Sequence, residues 1–225
     1  MAAADGCGHR AYLTLSDYVQ HKYAPGVLEA DDSSSKIDNY LGELQDLSVM
    51  VAVTGDHGMS NKSDEDGSPN VLFLEDFIRS HWPDTKPRVI CPITDPFVKH
   101  HGAFGGFVRV HLLGQYSQAT LENMLQQIQT LPQVEVSLTG KNAAARFEMP
   151  LWREGELVVI STKNAALGSR ADEHDLSQLK GHRLRSHGGL SEQGVTLIRS
   201  KAIAGDPAPA KHWRNFDAFD IALNY

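Results

Sequence analysis

Apolar positions in the first third of the chain alternate between strand-like runs and helix-like spacing. The stretches RAYLTLS (10–16) and SVMVAVT (48–54) are short apolar runs that predict strands. Between them, residues 33–47 carry apolar side chains at the spacing of one helix face, and serines at the start of this helix can cap it. The stretch NVLFLEDFIRSHW (70–82) predicts a strand that passes directly into a helix. This alternation indicates an α/β fold with a parallel sheet and crossover helices.

The pattern changes from Pro87 onward. The strand-like stretches that follow are RVICPIT (88–94), AFGGFVRVHLL (103–113) and VEVSLTG (134–140), with an amphipathic helix predicted over 117–131. We therefore expect a small α+β insertion over 86–150, within a core formed by residues 1–85 and 151–225. Two later apolar runs, at 155–161 and 194–200, predict strands that return to the main sheet.

Composition excludes several classes of function. The net charge of -7 gives no basic surface for nucleic acid, and no apolar run approaches the roughly 18 residues of a membrane span. The N-terminal residues lack the apolar core of a signal peptide. With only Cys7 and Cys91, a disulfide framework is not expected, which favours a reducing, cytoplasmic location. The 11 histidines are a first indication of metal binding.

Three stretches place acidic or histidine side chains next to a predicted strand or a glycine turn. Asp17 and His21 are four residues apart, so one helical turn puts them on the same face. Asp56 and His57 follow a predicted strand, and His187 precedes two glycines. Each group alone also fits an ordinary turn or surface pair. Because sites in open α/β sheets form at the carboxyl ends of the strands, and two of these groups leave predicted strands there, the three can converge at one place.

The donors in these stretches are carboxylate oxygens and imidazole nitrogens, without thiolates. This set suits zinc, and it leaves manganese and iron open. Two divalent ions a few ångström apart form a clamp that suits displacement at phosphorus. The donor set therefore favours metal-assisted chemistry at phosphorus.

The order of these residues resembles that of the metal ligands in the alkaline phosphatase superfamily. Wider stretches resemble the phosphonoacetate hydrolases in particular, from about residue 11 onward. These stretches are SDYVQHKYAPG, TGDHGMSNK, CPITDPFVKHHGAFGGF, VVISTKNAALGS, LRSHGGLSEQ and NFDAFDIALN. The resemblance implies part of an alkaline-phosphatase-like parallel sheet flanked by helices, with residues 86–150 in a cap over the active site.

The resemblance also implies a chemistry and a ligand set. It implies a two-zinc hydrolase that cleaves the carbon–phosphorus bond of phosphonoacetate, a small phosphonate, to acetate and phosphate. Asp17, His21 and His187 would hold one zinc ion. Asp56 and His57 would hold the other.

The nucleophile of such enzymes is a threonine in an N-terminal part, which also supplies ligands to the second zinc. Only sixteen residues precede Asp17, and Thr14 lies in the predicted strand rather than in the context of that nucleophile. We therefore expect no catalytic nucleophile in this sequence, which resembles the C-terminal part of the enzyme. We expect the chain alone to be almost inactive.

Some interpretations stay open from the sequence. Lys62 follows the Asp56-His57 turn closely enough to approach an anionic substrate, although an exposed lysine without that role is favoured. A nucleotide pyrophosphatase/phosphodiesterase would use the same metal ligands. A non-catalytic metal-binding remnant is a further alternative. A homodimer is compatible with the sequence.

Overall fold

The helices and strands follow from a computed structural model of the chain. It describes residues 11–13, 18–47, 49–93, 104–179, 181–202 and 212–224. The helices are α1 (Tyr18–Lys22), α2 (Leu28–Asp46), α3 (Leu74–His81), α4 (Gln118–Gln129), α5 (Gly140–Phe147) and α6 (Ala218–Asn224). The strands are β1 (Ala52–Thr54), β2 (Ser60–Asn61), β3 (Val71–Phe73), β4 (Pro87–Ile90), β5 (Phe107–Leu112), β6 (Val134–Thr139), β7 (Leu157–Ser161), β8 (Ala166–Gly168), β9 (Arg185–Ser186) and β10 (Leu197–Arg199). Short 3-10 helices include Leu190–Glu192 and Ala171–Glu173.

The chain has a mixed α/β fold, as the alternating pattern predicts. Strand β3 runs directly into α3 and pairs in parallel with β8. Strands β1 and β10 pair antiparallel, and so do β2 and β9. The parallel arrangement expected for the main sheet is therefore seen at β3–β8, while these other two pairs are antiparallel.

A four-stranded antiparallel sheet, in the order β4-β5-β7-β6, carries the largest apolar cluster among the described residues. Helix α4 packs on this sheet because Leu121, Met124 and Ile128 share one buried face. The alternating burial along β5 sends Val108 and Val110 into the same cluster. Burying such side chains contributes roughly 1.5–3 kcal/mol each, so this core is a main source of stability.

Strand β7 pairs with other strands than the sequence analysis predicts. The run at 155–161 is expected in the main sheet, but β7 pairs with β5 on one side and β6 on the other. All five residues of β7 are buried, which is typical of a central strand covered on both faces. The four-stranded sheet therefore extends past residue 150. The division into a core and an insertion at 86–150 stays a prediction.

Other elements differ from the predicted ones at their ends. Helix α2 begins at Leu28, and the hydroxyls of Ser34 and Ser35 donate to carbonyls one turn back instead of capping it. Strand β1 is half-buried rather than buried. Residues 11–13 do not form a strand, and the remainder of that predicted run lies outside the described residues. Within the ranges given above, no helix has both the length and the apolar character needed to span a membrane.

Candidate metal centre

The loop after β1 carries Asp56 and His57, as expected for the carboxyl end of a strand. The backbone N–H of His57 donates to Asp56 Oδ1 at 3.1 Å. The ring Nδ1 of His57 donates to the carbonyl of Gly58 at 2.9 Å. The ring Nε2 lies 3.7 Å from Asp56 Oδ2. The two donors of the second predicted zinc site therefore lie side by side, and the carboxylate is 85% exposed.

His187 directly follows β9, and the pairing of β9 with β2 brings it beside His57. Ser60 lies opposite Ser186 in this pair. The rings of His57 and His187 are stacked, with centroids 3.5 Å apart and planes within 4° of parallel. Gly188 then takes a left-handed φ of +99°, which suits glycine because a side chain would be strained there. The predicted glycine turn thus ends the strand and sets the position of the histidine.

His21 reaches the same place from α1. The helical turn expected after residue 17 is present, and it buries the His21 side chain. Its Nδ1 donates to the carbonyl of Arg185 at 2.9 Å, and Arg185 Nε donates to the carbonyl of Gln20 at 2.9 Å. These two bonds fix α1 against β9. The His21 ring then lies 5.3 Å from the His187 ring, centroid to centroid.

The structure thus brings together His21, His57 and His187, with Asp56 beside them. Asp17, the remaining predicted ligand, lies outside the described residues. Across the part of the chain that the structure describes, no group of three or more His, Cys, Asp or Glu side chains is arranged to hold a metal ion. Nδ1 of both His21 and His57 is held by a backbone carbonyl, which is the usual arrangement in metal-ligating histidines.

The structure adds Glu192, a residue that sequence reasoning missed. Its side chain is 1% exposed, and the residue lies between the His57 loop and the His187 loop, with hydrogen bonds to Gly58 and Gly189. Burial raises the pKa of this carboxyl, but its hydrogen-bond donors and a lysine charge outweigh burial and lower the pKa overall. The groups that lower it are Ser60, Ser191, Lys62 and the N–H of Gly189. No local sequence signal marks Glu192, because its charged partner comes from a distant part of the chain.

Lys62 is that partner, and the expectation of an exposed lysine is wrong. The Lys62 side chain is fully buried, with Nζ 3.3 Å from Glu192 Oε1. Burial lowers the pKa of the Lys62 ammonium, and the Glu192 charge opposes that shift. The backbone N–H of Lys62 donates to the carbonyl of Leu184, the residue before β9. Lys62 therefore continues the ladder of hydrogen bonds between β2 and β9. A contact between Lys62 and substrate stays a prediction.

The fold is that of the alkaline-phosphatase-like α/β hydrolases. The chain matches the family described as type I phosphodiesterase / nucleotide pyrophosphatase over residues 10–187, and it belongs to that family.

The individual proteins that this chain resembles have more specific descriptions than the family has. Phosphonoacetate hydrolase from Sinorhizobium meliloti 1021, in complex with phosphonoformate, is 42% identical with a TM-score of 0.81, covering 92% of this chain and 49% of that one. Its complex with phosphonoacetate is 41% identical with a TM-score of 0.79 and the same coverage. A phosphonoacetate hydrolase from Penicillium oxalicum is 63% identical over 41 residues, which is 17% of this chain and 57% of that protein. The chain thus spans about half the length of the solved relatives that it matches.

Proposed function

We propose that this chain forms the histidine-rich part of a zinc-dependent hydrolase that cleaves the carbon–phosphorus bond of phosphonoacetate to acetate and phosphate. The observation that carries the proposal is the 42% identity and TM-score of 0.81 to a phosphonoacetate hydrolase along 92% of the chain. The convergence of His21, His57 and His187 supports it, because residues from three separate stretches meet at one place.

In this proposal Asp17, His21 and His187 hold one zinc ion, and Asp56 and His57 hold the second. When bound, zinc would activate the nucleophile and neutralise charge on the phosphonyl oxygens. The protein's own contribution is orientation. Hydrogen bonds from Nδ1 to the carbonyls of Arg185 and Gly58 hold the His21 and His57 rings and leave each Nε2 as the ligating atom.

The second candidate is a nucleotide pyrophosphatase/phosphodiesterase activity. The description of the matching family favours it. Such an enzyme would use the same ligands, so the histidines do not discriminate between the two activities. A non-catalytic metal-binding role is the third candidate, and loss of hydrolysis with zinc binding intact would favour it.

A chimera tests the substrate most directly. This chain would replace the aligned part of the Sinorhizobium meliloti enzyme, which supplies the rest of the fold. We expect the zinc-loaded chimera to release phosphate from phosphonoacetate much faster than it cleaves bis(p-nitrophenyl) phosphate, alone and in competition. The His187→Ala chimera is the matched control and should lose both activities. A clear preference for the phosphodiester would overturn the proposal in favour of the second candidate.

Two further parts of the proposal concern the protein in its cell. We propose a cytoplasmic location, supported by the two-cysteine composition. A homodimer is the assembly we would test first. Cell fractionation checks the location, and light scattering of the purified protein checks the assembly. Recovery in a secreted fraction would contradict the first proposal, and a monomer mass would contradict the second.

A further inference from the structure

Glu192 contacts the backbone beside two of the three histidines. Its carboxylate Oε2 accepts the N–H of Gly189 at 2.8 Å, two residues after His187. Its backbone carbonyl accepts the N–H of Gly58 at 2.7 Å, next to His57. One residue therefore ties together the two loops that carry the stacked rings.

The same carboxylate is also held by a charged partner, Lys62. Lys62 Nζ lies 3.3 Å from Oε1, and the Ser191 hydroxyl donates to Oε1 at 2.7 Å. Both members of the Lys62–Glu192 pair are almost completely buried, with 0% and 1% of their side chains exposed. A buried charge without its partner is strongly unfavourable, so the pair keeps the carboxylate in one position.

The backbone packs closely around Glu192, so its position limits where the two histidine loops can lie. A Cβ on Gly58 would lie 3.3 Å from the carbonyl oxygen of Glu192, so the His57 loop has little room to move toward it. A Cβ on Gly106 would clash with the backbone of Gly189 from the other side. The His187 loop is thus confined between Gly106 and Glu192.

We propose that Glu192 is a positioning residue of the metal centre, with Lys62 as its counter-charge, and that it sets the spacing of His57 and His187 for ligation. The inference rests on the proposed zinc site and goes beyond it by assigning a role to the buried pair. Glu192 itself does not contact substrate or metal in this assignment.

Glu192→Gln keeps the shape of the side chain and removes its charge. We expect the zinc affinity of the purified chain, measured by competition with a chromophoric chelator, to fall at least about tenfold, because the loop that carries His187 is then held less tightly at Gly189. Glu154→Gln is the matched control, because the Glu154 side chain is also fully buried and pairs with Arg109 of β5. The control variant should lose stability but keep the parent zinc affinity. Equal zinc affinities in the two variants would overturn the inference.

A double variant tests the positioning role separately from charge balance. It also remains informative if the single variant folds poorly. Lys62→Met with Glu192→Met removes both charges together, which restores a well-packed interior. We expect it to unfold at a temperature close to that of the parent chain while its zinc affinity stays at least about tenfold weaker. Recovery of both stability and zinc affinity would show that the pair has no positioning role.

Amide hydrogen exchange gives a readout that needs neither metal nor substrate. Exchange at Gly58 and Gly189 should be faster in Glu192→Gln than in Glu154→Gln, and equal exchange would overturn the inference. If the parent chain bound no zinc, the proposed metal site and the positioning role that rests on it would both fail. If zinc bound but the chimera preferred phosphodiesters, the proposed substrate would fail and the positioning result would stand.

Discussion

The imidazole rings of His57 and His187 lie parallel, 3.5 Å apart between centroids, although they come from distant loops of the chain. Their contact follows from the antiparallel pairing of β2 with β9, in which Ser60 faces Ser186. The two ligand sets that the resemblance assigns to separate zinc ions are thus in direct contact through these two rings. A change at one histidine therefore removes a packing partner of the other.

The first prediction concerns which histidine holds zinc. Asp17, His21 and His187 form a three-ligand set, which is the number typical of a catalytic zinc, whereas Asp56 and His57 provide two. We expect about one zinc per chain by elemental analysis. His187→Ala should lose it and His57→Ala should keep most of it.

His111→Ala is the matched control for this experiment, because His111 lies in β5, away from the stacked rings. It should retain the full zinc content. The reverse order, with zinc lost in His57→Ala and kept in His187→Ala, would show that the ligands are assigned to the wrong sites.

The second prediction concerns the glycine behind the His187 loop. Gly106 donates its N–H to the carbonyl of His187 at 2.7 Å, and an added Cβ would clash with the backbone of Gly189. Gly106→Ala should therefore displace the loop and weaken zinc binding about tenfold or more, as measured by chelator competition.

Gly42→Ala is the control for that glycine. Gly42 lies in α2, where an added Cβ meets nothing within 4 Å. The substitution should stabilise the helix by roughly 0.5–1 kcal/mol and leave zinc binding unchanged. Unchanged zinc affinity in Gly106→Ala would mean that the loop tolerates the displacement.

Sequence periodicity predicted the elements whose signals are local. Helix α4 starts after Ser117, whose hydroxyl accepts the N–H of Thr120, and its apolar face is the one that the spacing predicts. The passage of β3 into α3 was also confirmed. Neighbouring residues alone define these elements, so their pattern can be recognised in the sequence.

The positions of other residues depend on partners far along the chain. An apolar run such as β7 carries no information on which strands it joins, and it joined β5 and β6. Lys62 has no periodic signal for burial, because its burial depends on Glu192. Three of the predicted ligands nevertheless lie close together in the structure. Strand ends and glycine turns can be recognised in the sequence, and they mark places where side chains from distant stretches meet.

The third prediction concerns the core under the four-stranded sheet. Met124 is completely buried between α4 and the sheet. Met124→Ala should lower the free energy of unfolding by about 2–5 kcal/mol, because it leaves a cavity in a packed core. Urea denaturation measures this loss. Gln126→Ala, on the exposed side of the same helix, should change stability by less than about 0.5 kcal/mol. Comparable losses in both variants would contradict the packing.

The last prediction is a pH dependence at Glu173. The Ser169 hydroxyl, which donates to Oε2 at 2.6 Å, and then Arg88, 2.8 Å from Oε1, lower the pKa of this carboxyl from 4.5 to about 2. Because the folded pKa is the lower one, the ionised form stabilises the fold above about pH 5, and the contribution is lost as the pH falls toward 2. Solvent screening limits it to about 1 kcal/mol.

Glu173→Gln should therefore be less stable than the parent chain at pH 7, and the difference should shrink steadily between pH 5 and pH 3. Urea denaturation at pH 7, 5, 4 and 3 measures it. Asp172→Asn is the control, because Asp172 is 71% exposed and pairs with Arg170 at the surface. Its effect should be small at every pH, since exposed pairs contribute little. A Glu173→Gln difference that stayed constant across this range would show that Glu173 acts through its shape and not through its charge.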